Sequence, residues 1–343
     1  MAGITSTAAR LRVAKQSGKG TAASSGFITA VLNQSGLNVA FDNTQKPAEH
    51  GIAYSRATAR KTATRRGSYL GRGTFRGSLY PDAFGLWLLG AGFAVTTSGA
   101  SANKTHTFKL AARDANPWLT VLWDLNSNER RLTDTRVTRL LIDGSPEGVY
   151  QEGDFAGLTV GESTGSETTT AEDTVGEMLP SNGTLTLQYD PAGTPVTVVE
   201  TPTDSVGAVQ ITINNPVDEN DRSIHRFARA DLKQTGVDVS VALRGLDIDW
   251  DIYNYIVNGG ASAAAPSADS QIFSLTYSFE STVNIAGTAA PYSATITIPR
   301  LELTIEDFRA DGDSMVTWNT TGNMLDQTTD PITIALVSKK ASY

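Results

Sequence analysis

Alternation with a period of two constrains this chain more than any other feature. In VDVSVALRG, Val237, Val239, Val241 and Leu243 fall on one side of an extended backbone, with Asp238, Ser240 and Ala242 on the other. That is the pattern of a strand with one buried face, because successive side chains point to opposite sides of a pleated sheet. TLTLQYD, VQITINN, SLTYSFES, ATITI and PITIALV repeat it, each bounded by Gly, Pro, Asn or Asp, residues that turn the chain. The expected fold class is therefore mainly β.

Helical periods are few. In YPDAFGLWLLGAG, Pro81 suits a first helical position and Asp82 the positive end of the helix dipole, while Phe84, Trp87, Leu88 and Ala91 share a face before Gly90 and Gly92. In DWDIYNYIVNGG, Asp249 is the expected N-cap, Ile252, Tyr255 and Ile256 form the apolar stripe, and Asn258-Gly259-Gly260 ends it. Each reads as one amphipathic helix laid on a sheet.

These two helices sit in matching surroundings. FRGSLYPDAFGLWLLGAG, from Phe75, and LRGLDIDWDIYNYIVNGG, from Leu243, both run from a strand through Arg-Gly into a short helix stopped by glycine. Downstream, Arg139-Leu140 corresponds to Arg300-Leu301, and EGDFAGLTVGEST at Glu152 to DGDSMVTWNTT at Asp311. Landmarks repeated in one order, near half the chain apart, indicate an internal duplication. A length of 343 residues accommodates two such domains. The expected division is a first domain over 1–165 with an N-terminal arm and a basic loop, an acidic Thr/Ser-rich linker or loop over 166–180, and a second domain over 181–343.

Composition excludes some chemistry. There is no cysteine, so disulfides, thiolate metal sites and thiol nucleophiles are absent. The three histidines, His50, His106 and His225, lack metal-ligand spacing and read as exposed or core residues. QSGKGTAAS at Gln16 lacks the first glycine of a phosphate loop and reads as a flexible segment. GRGTFRG, Gly71 to Gly77, fails the dinucleotide spacing, and its glycines are expected to serve close strand packing. Asp247, Asp249 and Asp251 read as a strand end and a helix cap rather than a calcium site. No catalytic group, cofactor or metal site is assigned, and the chain is not expected to be an enzyme. A basic start without an apolar stretch behind it argues against a secretory signal. The apolar run Phe84 to Val95 is too short to span a bilayer, so synthesis in the cytoplasm and no membrane association are expected.

Charge is unevenly placed. Residues 1–80 hold 12 Lys/Arg against Asp42 and Glu49, whereas the chain as a whole carries −8. The cluster Arg56, Arg60, Lys61, Arg65 and Arg66 could track phosphates, but only Tyr54 and Tyr69 lie near it for stacking. The better reading is a contact between subunits, meeting the acidic remainder of a neighbouring copy.

With FRGSLYPDAFGLWLLGAG followed by THTFKL, PWLTVLWDL and RRLTDTRVTRLLIDGSPEGVYQEGDFAGLTVG, the chain resembles the tail tube (major tail) proteins of long-tailed, siphovirus-like bacteriophages. The resemblance covers Gly67 to Val160 and, more loosely, Gly236 to Val337. It implies two tail-tube-type β-sandwich or half-barrel domains, each with a flanking short α-helix. It also implies a structural virion protein whose rings stack into the tail tube that conducts double-stranded DNA. Single-domain members form six-membered rings, so a duplicated chain implies three subunits, or six with one decorative domain. Implied partners are the protein itself and the tape-measure, tail-terminator and distal tail proteins, in the virion tail. The alternative is a two-domain β-sandwich binding module, an adhesin or carbohydrate binder.

Overall fold

A computed structural model describes residues 9–45, 64–99, 102–112, 115–125, 128–163, 165–172, 174–190, 194–201, 206–219, 231–247, 250–263, 265–309, 317–326 and 330–343. The first half forms β1 (Ala9–Lys15), β2 (Phe27–Ala30), β3 (Gln34–Gln45), β4 (Thr64–Ser78), α1 (Pro81–Gly90), β5 (Phe93–Ser98), β6 (Lys104–Leu110), β7 (Leu119–Leu125), β8 (Asn128–Ser145) and β9 (Gly148–Glu162), then β10 (Thr169–Ala171). The second forms β11 (Leu179–Tyr189), β12 (Val196–Glu200), β13 (Ala208–Asn214), β14 (Val217–Asp218), β15 (Lys233–Gln234), β16 (Asp238–Asp247), α2 (Trp250–Asn258), β17 (Ile272–Asn284), β18 (Pro291–Arg309), β19 (Thr317–Met324) and β20 (Thr333–Ser338). The fold is mainly β, as the alternation predicts. In β13, Val209, Ile211 and Ile213 are buried, and in β17 so are Phe273, Leu275, Tyr277 and Phe279.

The two halves pair their strands in one order. The first runs β2-β1-β7-β8-β9-β4-β3. The second runs β12-β11-β17-β18-β19-β16-β13. Every one of these pairs is antiparallel, corresponding strands follow one another identically along the chain, and the helix falls between the fourth and fifth of each set. Residue-level landmarks fit less well. Ladder irregularities lie between Val137 and Arg139 in the first half and between Ile305 and Asp307 in the second. They align Arg139 with Asp307, not with Arg300; Asp311 is outside the described residues. Gly77 sits in an unbroken ladder opposite Gln151, whereas Gly245 has φ +64 at a bulge.

The two helices differ. α2 is amphipathic, with Ile252 and Ile256 buried and Asp251 exposed. α1 is buried on every side from Pro81 to Gly90, which corrects the expectation of a half-exposed helix. Beneath it Trp87 stacks on Phe75, ring centroids 4.2 Å apart, and lies 6.1 Å from Phe155. This stack needs glycine in the sheet: a Cβ on Gly73 would stand 2.2 Å from the Phe155 ring, and one on Gly153 2.5 Å from Phe75. The glycines of GRGTFRG thus serve close packing. Above α1 lies the chain's last segment, with Tyr343 Oη donating to Pro81 O at 2.8 Å and its ring against Gly85.

Segment 166–180, read as linker or exposed loop, is largely exposed along its described residues but is anchored to the sheet and core at a few points. β10 pairs parallel with β2, Glu172 is buried, and Met178 is in the core. QSGKG is likewise held rather than loose. Gly18 bridges to Thr21, Gly20 N donates to Asp134 Oδ1 at 2.6 Å, and Lys19 reaches Asp231 at 2.7 Å. Asp134 occupies φ 56, a backbone shape that asparagine and aspartate tolerate better than most residues.

Candidate assembly surfaces

The long strands β8 and β18 organise each half, and their edges are occupied differently. On one edge β8 carries β9 along its length. On the other it carries β7 from Asn128 to Thr135, then β13 from Arg139 to Gly144. The β8–β13 pairing is a joint between the halves, fixed by the ladder Val209↔Gly144 to Asn214↔Arg139. The result is a continuous run β3-β4-β9-β8-β13-β16-β19-β18 of eight strands.

This run has two open ends. β3 is paired with β4 alone among the described residues. At the far end, β17 covers β18 only up to Glu302, leaving Leu303–Arg309 on that edge without a ladder among the described residues. Unpaired backbone N–H and C=O groups on an edge recruit another strand.

A second joint leaves this run through β18. β6 pairs with β20 from Thr333↔Lys109 to Ser338↔Lys104, and Lys109 Nζ meets Asp330 at 2.6 Å. β20 therefore joins β18 of its own half to the β5–β6 hairpin of the other. In the second half the connection from α2 to β17 holds no strand among the described residues.

One face of the eight-stranded run is apolar and faces the main core. The other carries a smaller apolar cluster at one end, Leu70, Ala156 and Leu158 with Leu232, and is elsewhere mostly polar, with several of its arginines answered by acceptors. Arg139 Nη1 donates to Glu152 Oε1 at 2.9 Å and Asp154 Oδ2 at 3.4 Å, while Arg76 lies 4.0 Å from Glu152. Burial opposes the Arg139 charge, but the two carboxylates outweigh it and hold its pKa above the ordinary value. Arg72 pairs with Glu219. Arg244 Nε donates to Gln210 Oε1 at 3.3 Å, and Gln210 Nε2 donates on to Asp143 at 3.3 Å. Exposed pairs of this kind contribute ~0.2–1 kcal/mol each, so their main consequence is to balance the charge of these arginines.

Of the predicted contact residues, Arg56, Arg60 and Lys61 lie outside the described residues. Arg65 and Arg66 are in β4, opposite Thr44 and Asn43, at the end of the β3–β4 pair remote from α1. Asp249, read as the N-cap of α2, is also outside the described residues, as are His50 and His225. His106 is a core residue, its Nδ1 2.9 Å from Thr97 Oγ1, and burial lowers its pKa. Among the described residues no three His, Cys, Asp or Glu side chains are grouped to hold a metal ion, and no helix is long and apolar enough to cross a membrane.

Sequence reasoning missed the buried polar cluster at the start of α1. Glu172 accepts hydrogen bonds from Asp82 N and Ala83 N, both at 2.9 Å, using N–H groups that the first helical turn leaves unpaired. Burial and then the neighbouring Asp82 push its pKa up to about 8, against the opposing pull of the two N–H donors and Lys340. Burial also lowers the Lys340 pKa. No residue pattern near Glu172 signals this cluster; Gly85, a glycine inside a helical pattern, marks only the close approach of Tyr343 to the same helix. Comparison of the sequence with protein-family models and with curated proteins finds no match.

Proposed function

We propose that this chain is a structural subunit whose copies close head to tail into rings, the rings stacking into a tube of the kind that phage tails use to conduct double-stranded DNA. The observation that carries this reading is the eight-stranded run. It contains one four-strand order twice, β3-β4-β9-β8 and β13-β16-β19-β18, joined in-sheet through β8 and β13. A chain assembled from two equivalent units ends with one open edge of each kind. Such a chain satisfies both edges by adding copies head to tail, and a closed circle leaves neither of these two edges exposed.

The repeated order supports an internal duplication, and three copies would then present six units around the ring. The face of the run turned away from the main core becomes the inner wall. On it Arg72, Arg139 and Arg244 are paired with carboxylates or an amide, which suits a channel that must not hold phosphates by counterion release. The role is architectural rather than catalytic, in the tail of a virion, with end-capping and length-setting tail proteins as further partners. Electron microscopy of negatively stained, concentrated protein tests this: rings or tubes are expected, and uniformly monomeric particles at every concentration and ionic strength would refute it.

A further inference from the structure

The joint inside the chain specifies a joint between chains. β13 lies on the edge of β8 just beyond the point where β7 stops. β18 presents the same situation, since β17 stops at Glu302 and the strand continues to Arg309 with that edge unpaired among the described residues. The strand corresponding to β13 is β3, and β3 has an edge of its own that is unpaired among the described residues.

The ladders fix the register. Val137 faces Phe155, which faces Gly73, which faces Leu37. In the second half Ile305 faces Thr320, which faces Leu243, which faces Val209. Leu37 thus stands where Val209 stands, and Val137 where Ile305 stands. Inside the chain Thr212 lies opposite Leu141, and Asn214 opposite Arg139. Carried across, these pairs become Ala40 opposite Arg309 and Asp42 opposite Asp307.

We infer that a second copy of this chain docks its β3 antiparallel along Leu303–Arg309 of β18, with Ala40 opposite Arg309, reproducing the β13–β8 joint. The inference rests on the ring reading and gives it a specific contact. The contact between copies is also the weaker of the two joints. The internal joint has β6 on β20 as a second clasp, and the α2–β17 connection supplies no strand among the described residues to repeat it.

Cysteine pairing tests this cleanly because the chain has no cysteine. Ala40→Cys with Arg309→Cys, oxidised under assembling conditions, should give a ladder of covalent dimers and higher species on a denaturing gel. Phe41→Cys with Arg309→Cys, slipped by one residue and so turned to the other face, should give at least tenfold less. Thr212→Cys with Leu141→Cys should close within one chain and leave its mass unchanged, showing that the variants fold. Rings that form without the Ala40–Arg309 cross-link, or with the slipped pair instead, overturn the proposed contact and leave the ring reading standing. Internal cross-linking in a protein that stays monomeric throughout overturns both.

Discussion

The two helices are the sharpest contrast between the halves. α2 shows water one side, whereas α1 is roofed by chain from elsewhere: Tyr343 lies over Gly85, Glu172 closes its first turn, and β20 packs near it. The strand order beneath both helices is the same. What differs is that the final residues of the second half cross back to finish the first, through β20 on β6 and the tail beyond it. Shared topology therefore does not make the halves independent. The first depends on the second for the cover of its helix, and the two are joined into one sheet through β8–β13 and β6–β20.

The contrast can be broken from below, where the effect should be largest. Trp87→Ala removes the ring between Phe75 and Phe155 and should cost ~3–5 kcal/mol. The corresponding Tyr255→Ala in α2, where the residue is only partly buried, should cost less than half of that. Denaturant unfolding of the two variants, compared with the unaltered protein, reads the difference. Equal losses would mean that the helices are supported alike.

Removing the roof comes next. Tyr343→Ala deletes a ring that touches His106 and Phe108 at centroid distances of 4.6 and 5.5 Å, at a cost of ~2–4 kcal/mol. Gly85→Ala places a methyl group where that ring lies, costing ~1–3 kcal/mol by overpacking. The double variant should lose less than the sum, since the added methyl gains room once the ring is gone; additive losses in thermal melts would separate the two sites.

The Glu172 cap gives a pH dependence with a definite sign. A carboxyl whose folded pKa is raised to about 8 binds its proton more tightly folded than unfolded. It stabilises fully below its ordinary pKa of 4.5 and progressively loses that contribution as pH rises to about 8. Melting temperatures of the unaltered protein should fall across that interval, and Glu172→Gln, always neutral, should flatten this part of the curve. An identical slope in both proteins would contradict the assignment. The smallest effect is expected at the polar face, where Arg139→Ala should change stability by less than about 1 kcal/mol, because Arg139 and its partners are partly exposed.

Much of the fold was legible from local pattern. Period-two alternation locates β13, β16, β17 and β20, and Pro81 with Gly90 and Gly92 brackets α1. The repeat of strand, helix and glycine stop points to the two sets of strands, although Arg139 and Arg300 mislead by falling on opposite sides of the irregularities in β8 and β18. What was hidden depends on distant parts of the chain. Near Phe84 and Leu88 only Gly85 hints that the outer side of α1 is covered, and it does not say by what, because the cover is the distant Tyr343. The 166–180 segment reads as solvent-facing linker by its Thr and Glu content, and mostly is, yet Glu172 becomes buried where the start of α1 leaves N–H groups for it to accept from. The edges of β3 and β18 are invisible to composition, since an open edge is a property of pairing and not of the residues that line it.

The mass of the assembled particle tests the central claim most directly. Native mass spectrometry across a concentration series should show a closed species at three times the 36.4 kDa chain mass, growing by whole rings. A single species at 36.4 kDa under all conditions, or an open ladder with no preferred closed size, would contradict ring closure through the two sheet edges.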